Sequence, residues 1–322
     1  MRLVAVCTLA LAVSLSHGAR AQGPSPIRII VPSPAGGQVD NLARALSPHL
    51  RELTGQPILV ENKPGASTTI GMRECALARP DGLTFCMSVP DSLSYNPFVF
   101  AKLPYDPAAF VGIAHLGWTN GLIVSNTGAK FSSFKEMLVV AKAGGAPVFW
   151  ATWGEASIPD VYLKWTNHRA GASIEAVPYK GAAPGNQAVL AGEAQVTYMG
   201  IGVSRPHVQK GTVRPLAATG KSRSPLYPDI PTLNELGLDP GLPGYFAFYA
   251  PPGTPDAIAR RMHTLVQAAL ATPALTQFRE TYAMEAADMS LEQFQQFMAT
   301  DRHRAGEVLR SLGFKPTTVT SP

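Results

Sequence analysis

The chain has 322 residues, of which 46% are hydrophobic and 15% charged, and its formal net charge is +5. So low a share of charged residues excludes an intrinsically disordered chain, and the lack of any lysine and arginine block argues against nucleic-acid binding. Because single hydrophobic cores stop growing at about 250–300 residues, two lobes are the default expectation.

The first segment has the layout of a secretory signal peptide. Arg2 precedes an apolar run over residues 3–15, and Ala19-Arg20-Ala21 matches a small-x-small cleavage site. The run is too short to span a bilayer, which leaves a buried N-terminal helix as the alternative. We expect residues 1–21 to be removed after Ala21 and the mature chain to be periplasmic.

Beyond the signal peptide, short apolar strands alternate with helical stretches, which is the pattern of an open α/β sheet. The predicted strands are residues 27–31, 58–60, 83–88, 113–116, 122–124, 148–152, 174–178, 195–199, 213–219 and 245–250. The first predicted helix has Leu42, Leu46, Leu50 and Leu53 near one face, and Pro48 should kink it. The other predicted helices are residues 69–79, 133–143, 157–168, 182–191, 203–210, 255–271 and 290–312.

The alternation restarts after Pro104-Tyr105-Asp106-Pro107, so the elements fall into two series. We predict a discontinuous lobe 1 from residues 22–115 and 235–322, and a lobe 2 from residues 116–234. A chain that passes between lobes more than once suggests a hinged cleft. Ligands of open α/β sheets bind beyond the carboxyl ends of the strands, so the loops there are the candidate site.

The loop after the first strand contains Gly36 and Gly37 and leads into a helix. Glycines at such a turn let backbone N–H groups approach a ligand, and the helix N-terminus adds partial positive charge that favours an anion. Asp40, in the first helical turn, complements the same helix dipole, and a structural role and a ligand contact are both open to it.

Three further loops follow strands in the same way. Residues 65–69 add hydroxyl groups, residues 152–157 open a helix in the second series, and residues 177–181 end another strand. Each of these loops alone is explained as a helix cap, but together they can converge on one small anion. Trp150 and Trp153, near the second of these loops, would favour an aromatic ligand, although we expect one of the two to belong to the core.

Cys75 and Cys86 are the cysteines that remain after signal cleavage. In an oxidising compartment they can form a disulfide that closes a short loop. They can equally pack together as small hydrophobic residues, and the sequence leaves both interpretations open.

The usual signatures of an enzyme or a metalloprotein are missing from the sequence. It contains no HExxH pair, no GxSxG elbow and no GxGxxG loop, so we expect no metal, no cofactor and no catalytic residue. Gly220-Lys221-Ser222 resembles the end of a phosphate-binding loop, but the expected earlier glycine is Pro215. The pattern therefore favours a binding protein over an enzyme.

At these residues the sequence resembles the Bug-type receptors of tripartite tricarboxylate transporters. The resemblance covers essentially the whole mature chain. It rests on Pro26 to Pro32, Pro34 to Gly37 with Asp40, Val60 to Ala66, Pro80 to Gly82, Asn96-Pro97, Lys102 to Asp106, Val177 to Gly181, Pro228 to Thr232 and Ala250 to Pro255.

The resemblance implies a two-lobed periplasmic-binding-protein fold of type II, a Venus flytrap that closes on a small carboxylate. It implies ligand contacts at Ser33, Pro34, Ala35, Gly36, Gly37, Thr68, Thr69, Ser157, Tyr179, Lys180, Gly181 and Ala182. The expected ligand is a dicarboxylate or tricarboxylate, an amino acid or an aromatic acid, and the expected partners are permease subunits or a sensor. We expect a monomer; an enzyme built on the binding-protein fold is the alternative function.

Asp160 departs from the family pattern, in which a neutral or cationic side chain is usual at this position. An acid there would either recognise an amine on the ligand or cap the helix. Gly65-Ala66-Ser67-Thr68 also departs, because it lacks the second glycine pair of the family.

Overall fold

The structure, a computed structural model, describes residues 24–286 and 288–316, so the predicted signal peptide lies outside the described residues. The strands are β1 (Ile27–Val31), β2 (Ile58–Asn62), β3 (Thr84–Ser88), β4 (Val111–Thr119), β5 (Gly121–Asn126), β6 (Val148–Thr152), β7 (Ile174–Pro178), β8 (Val196–Gly200), β9 (Val213–Ala218) and β10 (Gly244–Ala250). The helices are α1 (Gln38–Thr54), α2 (Thr69–Ala76), α3 (Asn96–Val99), α4 (Phe134–Lys142), α5 (Ile158–Ala170), α6 (Ala182–Ala191), α7 (Ile201–Gln209), α8 (Asp256–Leu270), α9 (Pro273–Tyr282) and α10 (Leu291–Ser311). A π-helical turn, Asp91–Tyr95, leads directly into α3.

The strands form two five-stranded sheets, one in each lobe. The first has the order β2-β1-β3-β10-β4 and the second the order β7-β6-β8-β5-β9. In each sheet, three neighbouring strands run parallel, and β10 or β5 is antiparallel to its neighbours. The carboxyl ends of β1, β2 and β3 therefore share one edge, as do those of β6, β7 and β8.

The chain passes between the sheets twice. It leaves β4 for β5 at Asn120 and returns from β9 to β10 through residues 219–243. Gly121 begins β5 against the ring of Tyr198, where any Cβ would overlap that ring, so this crossover requires glycine. The lobe boundaries given from the sequence, 115/116 and 234/235, stay a prediction.

Each lobe has an apolar core that its helices cover. In the first lobe, α1 presents Leu42, Leu46 and Leu50 to the sheet at helical spacing, and Pro48 lies inside the helix. In the second lobe, Trp150 is fully buried in the core, whereas Trp153 is only partly buried beside it.

The helix α9 was not predicted, although Leu275, Phe278 and Tyr282 lie at helical spacing and pack against the core of the first lobe. Its start is marked by Pro273 in the first turn, and its end by Ala283 in the left-handed region. Tyr282 of α9 accepts a hydrogen bond from Asn41 Nδ2 at 3.1 Å and lies against Gly202 of α7. This helix therefore connects the two lobes.

A disulfide joins Cys75 of α2 to Cys86 of β3, with their Cα atoms 6.2 Å apart. Both residues are buried in the core of the first lobe. The bond ties α2, which carries the second candidate loop, to the sheet beneath it.

The lobes also meet through an apolar cluster. Tyr95 and Val99 of the first lobe pack in one cluster with Ala156 and Val161 of the second, and with the carboxyl-terminal part of α10. Separation of the lobes would expose this surface.

Candidate ligand site

The loop between β1 and α1 is held in shape by Asp40. Its Oδ2 accepts a hydrogen bond from the backbone N–H of Gly36 at 2.8 Å, and its Oδ1 accepts one from Asn62 Nδ2 at 3.0 Å. Arg44, one turn later, forms a salt bridge with the same carboxylate at 3.0 Å. Burial alone would raise the pKa of Asp40, but hydrogen bonds from Arg44, Gly36 and Asn62 lower it below the ordinary value.

The loop between β6 and α5 repeats this arrangement in the second lobe. Asp160 Oδ2 accepts a hydrogen bond from the backbone N–H of Ala156 at 2.8 Å, and Lys164, one turn later, lies 3.0 Å from the same oxygen. Asp160 is buried. These contacts are those of a cap that braces the loop, which was one of the two roles open to Asp160; a contact with the ligand stays a prediction.

Ser157 lies at the end of the β6–α5 loop, the loop that Asp160 braces. Its hydroxyl donates to the carbonyl oxygen of Gly154 at 2.7 Å and accepts from the backbone N–H of Trp153 at 3.2 Å. Ser157 is the N-cap residue of α5, so the free N–H groups of the first helical turn begin beside it. Gly37 holds the same position at the start of α1.

The loop before α2 contains three successive left-handed residues that are not glycine: Ala66 (φ 44°), Ser67 (φ 49°) and Thr68 (φ 73°). Each such residue costs about 1–2 kcal/mol. Asn96 Nδ2 holds the turn by donating to the carbonyl oxygen of Ser67 at 2.8 Å, and Thr69 Oγ1 donates to that of Ala66 at 2.8 Å. Strain of this kind is typical of binding loops.

The loop between β7 and α6 contains the remaining predicted residues. Tyr179 is partly buried and its N–H donates to the carbonyl oxygen of Thr152 at 2.9 Å, so this loop lies beside the β6–α5 loop. Lys180 and Ala182 are exposed, and Gly181 (φ 112°) is the N-cap of α6.

Four buried polar atoms near these loops have no hydrogen-bond partner among the described residues. They are Ser33 Oγ, Asp91 Oδ1, Trp153 Nε1 and Asn186 Oδ1. Asp91 follows β3 and Asn186 lies in α6, and neither is among the site residues predicted from the sequence. The rule that selected the other loops, a polar residue just after a predicted strand, applies equally to Asp91.

The larger of two described cavities, about 250 Å³, lies at the crossovers between the lobes. Its walls include Trp118, Asn120, Lys221, Phe297 and Arg304. None of the predicted site residues lines it, so the loops and this cavity are separate features.

Outside these loops, Asp301 is a buried acid and His115 a buried imidazole, and the two form no catalytic pair in the described part of the chain. Asp301 accepts from Tyr245 OH at 2.8 Å and from Ser94 Oγ. His115 lies among aromatic rings, where burial lowers its pKa to about 3 and keeps it neutral. Residues 24–286 and 288–316 contain no cluster of metal-ligating side chains, and no helix there is long and apolar enough to cross a membrane.

Comparisons with known proteins agree with this architecture. The protein BugT of Bordetella pertussis is 29% identical over 296 residues, which is 90% of each chain. The structure of R. palustris Rpa4515 with adipate superposes with a TM-score of 0.84 and 28% identity, covering 91% of this chain and 99% of that one. The periplasmic binding protein BugD superposes with a TM-score of 0.83 and 24% identity, covering 91% and 99%.

The fold is therefore that of the two-lobed periplasmic binding proteins, as the sequence predicted. The profile of the family described as "Tripartite tricarboxylate transporter family receptor" matches residues 42–314. This match spans most of the chain, and it includes most of α1 and all of α5, the two braced helices. The chain belongs to the tripartite tricarboxylate transporter family of receptors.

Proposed function

We propose that this protein captures a small carboxylate in the periplasm and delivers it to the membrane subunits of a tripartite tricarboxylate-type transporter. The observation that carries the proposal is the repeated brace at the starts of α1 and α5. In each lobe, the carboxylate of an aspartate in the first helical turn fixes the loop before that helix. The helix begins at the edge of the sheet where the parallel strands end. Such helix starts hold an anion with backbone N–H groups.

The ligand would lie between the two lobes. The loops after β1 and β2 belong to the first lobe, and those after β6 and β7 to the second, so a ligand held by both sets would favour lobe closure. The comparison structure of Rpa4515 contains adipate, and a dicarboxylate of that kind is the first ligand to test here.

Differential scanning fluorimetry of the mature protein against dicarboxylates, tricarboxylates, amino acids and aromatic acids tests the proposal. A ligand that binds the folded state raises the melting temperature in proportion to the logarithm of its concentration. We expect at least one carboxylate to do so and to be recovered unchanged after incubation. Stabilisation by none of them, or conversion of the bound compound, would contradict the proposal.

Transport rather than signalling is tested separately. Deletion of the gene should abolish uptake of the stabilising carboxylate by the parent cells, and the gene restored in trans should recover it. Uptake that persists unchanged in the deletion strain would count against a transport role.

A further inference from the structure

Asp91 lies at the edge of the first sheet where the carboxyl ends of β1, β2 and β3 meet. It follows β3, which pairs with β1, so it emerges at the same edge as the glycine loop. Its neighbour Ser92 donates from Oγ to Thr68 Oγ1 at 2.9 Å, which places the π-helical turn directly against the strained loop before α2. Asp91 is therefore part of the wall that the candidate ligand loops form.

The π-helical turn that Asp91 begins faces the second lobe. Tyr95 of this turn packs with Ala156 and Val161 of the second lobe and lines a small cavity together with Tyr198 of β8. Burial raises the pKa of Tyr198, and the charge of Asp91 raises it further. Tyr95 of the same π-helical turn also feels this charge. Because Tyr95 and Tyr198 belong to different lobes, separation of the lobes would open the cavity between them, beside the turn that Asp91 begins.

The carboxylate of Asp91 lacks the partners that the other loop acids have. Asp40 and Asp160 each accept a backbone N–H and pair with a cation one turn later. The carboxyl of Asp91 accepts a backbone hydrogen bond only from its own residue, and no lysine or arginine lowers its pKa. Its buried Oδ1 has no hydrogen-bond partner in the described part of the chain. Burial raises the pKa of Asp91 to about 7.

A buried carboxylate oxygen without a partner or a nearby cation is costly, so it is unusual in a structural role. Here it would also repel a carboxylate ligand held by the N–H groups of the adjoining loops. A ligand that carries a cation as well as a carboxylate removes both penalties, because the cation pairs with Asp91 while the loops hold the anion.

We propose that Asp91 is the specificity-determining residue of the cleft and binds the ammonium group of a zwitterionic ligand of the amino-acid class. The inference rests on the proposed receptor function and narrows its ligand. It assigns the amine contact, which the sequence analysis considered for Asp160, to an acid whose oxygen is free to make it.

The proposal predicts opposite pH dependences for two ligand types. Binding of an ammonium group requires the ionised form of Asp91, so affinity for a zwitterion should rise as the pH increases from 6 to 8. A plain dicarboxylate prefers the neutral form and should bind less tightly over the same range. Tyr95 and Tyr198, which lie near Asp91, stay neutral in this range because their pKa values are raised by burial.

The test uses matched pairs of compounds that differ by one amine: aspartate and succinate, glutamate and glutarate, and 2-aminoadipate and adipate. Isothermal titration calorimetry measures each affinity for the wild type, for Asp91→Asn, and for Asp256→Asn as an exposed-acid control. In at least one pair the wild type should prefer the amine-bearing member. Asp91→Asn should weaken that member about 10- to 100-fold and leave the plain acid unchanged or tighter.

The outcomes distinguish failure of the role proposed for Asp91 from failure of the proposed receptor function. Tight binding of plain dicarboxylates with no effect of Asp91→Asn would overturn the role of Asp91 and leave the receptor function standing. Failure of every carboxylate to bind would overturn the receptor function itself. If Asp91→Asn does not fold, the wild-type pH series decides, because parallel pH dependences for the two members of a pair would contradict the proposal.

Discussion

Asp40 and Asp160 hold equivalent positions in the two lobes: each accepts, at 2.8 Å, the backbone N–H of the residue four positions before it. Each also pairs with a basic residue four positions after it, Arg44 or Lys164. The donor residues, Gly36 (φ 81°) and Ala156 (φ 54°), are both left-handed. Two loops with little sequence in common are thus held by the same pattern of contacts, each at the start of a helix.

The first prediction concerns this brace. Asp40→Ala leaves the N–H of Gly36 without its acceptor and removes one of the two acceptors of Asn62 Nδ2, and it should lower the free energy of unfolding by about 2–3 kcal/mol. Asp160→Ala should act in the same direction. Urea denaturation measures both effects.

Asp256→Ala is the matched control, because Asp256 also lies in a first helical turn and pairs with a basic residue, Arg260, but is exposed. An exposed pair of this kind contributes about 0–1 kcal/mol. Equal losses in Asp40→Ala and Asp256→Ala would show that the brace adds nothing to an ordinary surface pair.

The second prediction concerns the strained turn. Ser67 has φ 49° and an exposed side chain, so glycine should relieve the strain there. Because glycine also has more backbone entropy to lose, the net gain for Ser67→Gly should be about 0.5–1 kcal/mol. Ser67→Val should destabilise the protein. If thermal unfolding ranks valine above glycine, the left-handed conformation of this residue is wrong.

The third prediction concerns the disulfide between Cys75 and Cys86, which are 11 residues apart. Closing a loop of that length stabilises the folded state by about 2–3 kcal/mol through the entropy of the unfolded chain. Denaturation with dithiothreitol should therefore shift the urea midpoint downward. Cys75→Ala/Cys86→Ala should be insensitive to the reductant, and an equal shift in that variant would exclude the disulfide as its cause.

The fourth prediction concerns pH. Burial holds the pKa of His115 at about 3, while an unfolded histidine has a pKa of about 6.5, so only the unfolded state takes up a proton as the pH falls from 7.5 to 5. His115 therefore costs stability on the acid side, by about 2 kcal/mol at pH 5. His115→Phe should lack this loss.

The free energies of unfolding of His115→Phe and the wild type are compared at each pH, because Asp91 changes the stability of both proteins with pH in the opposite direction. Burial raises the pKa of Asp91 to about 7, so its neutral form stabilises the folded state at low pH and this gain is lost as the pH rises. His168→Phe, at an exposed position, is the control. A stability difference between His115→Phe and wild type that does not change with pH would mean that His115 is not shielded from water.

The architecture was predictable from sequence because most of its elements carry strong periodic signals. Ile27 to Val31 and Val148 to Thr152 are short apolar runs between turn residues, and the structure forms strands at those positions. The helix α9 was missed because it is short and only Leu275 in it is fully buried, so its apolar spacing, completed by Phe278 and Tyr282, is a weak local signal.

The candidate site was predictable only in part. Gly36 and Gly37 are visible as glycines after a strand, but the brace of Asp40 depends on Asn62, which is distant in sequence and brought close by strand pairing. Asp91 Oδ1 is unpartnered because no donor among the described residues lies within hydrogen-bond distance of it in the folded protein. Neither the Asn62 contact of Asp40 nor this missing donor can be read from the spacing of residues in the sequence.

The central claim, that backbone N–H groups at the start of α1 hold a carboxylate, is tested most directly by calorimetric titration of Gly37→Val. Gly37 has ordinary helix-entry angles, and a Cβ there would lie 3.4 Å from Pro34 O, so the variant should fold. Gly145→Val, at an exposed loop position with no neighbour within 4 Å, is the control. With the carboxylate that most stabilises the wild type, Gly37→Val should lose at least about tenfold in affinity and Gly145→Val should lose none. Unchanged affinity in a folded Gly37→Val would contradict the account.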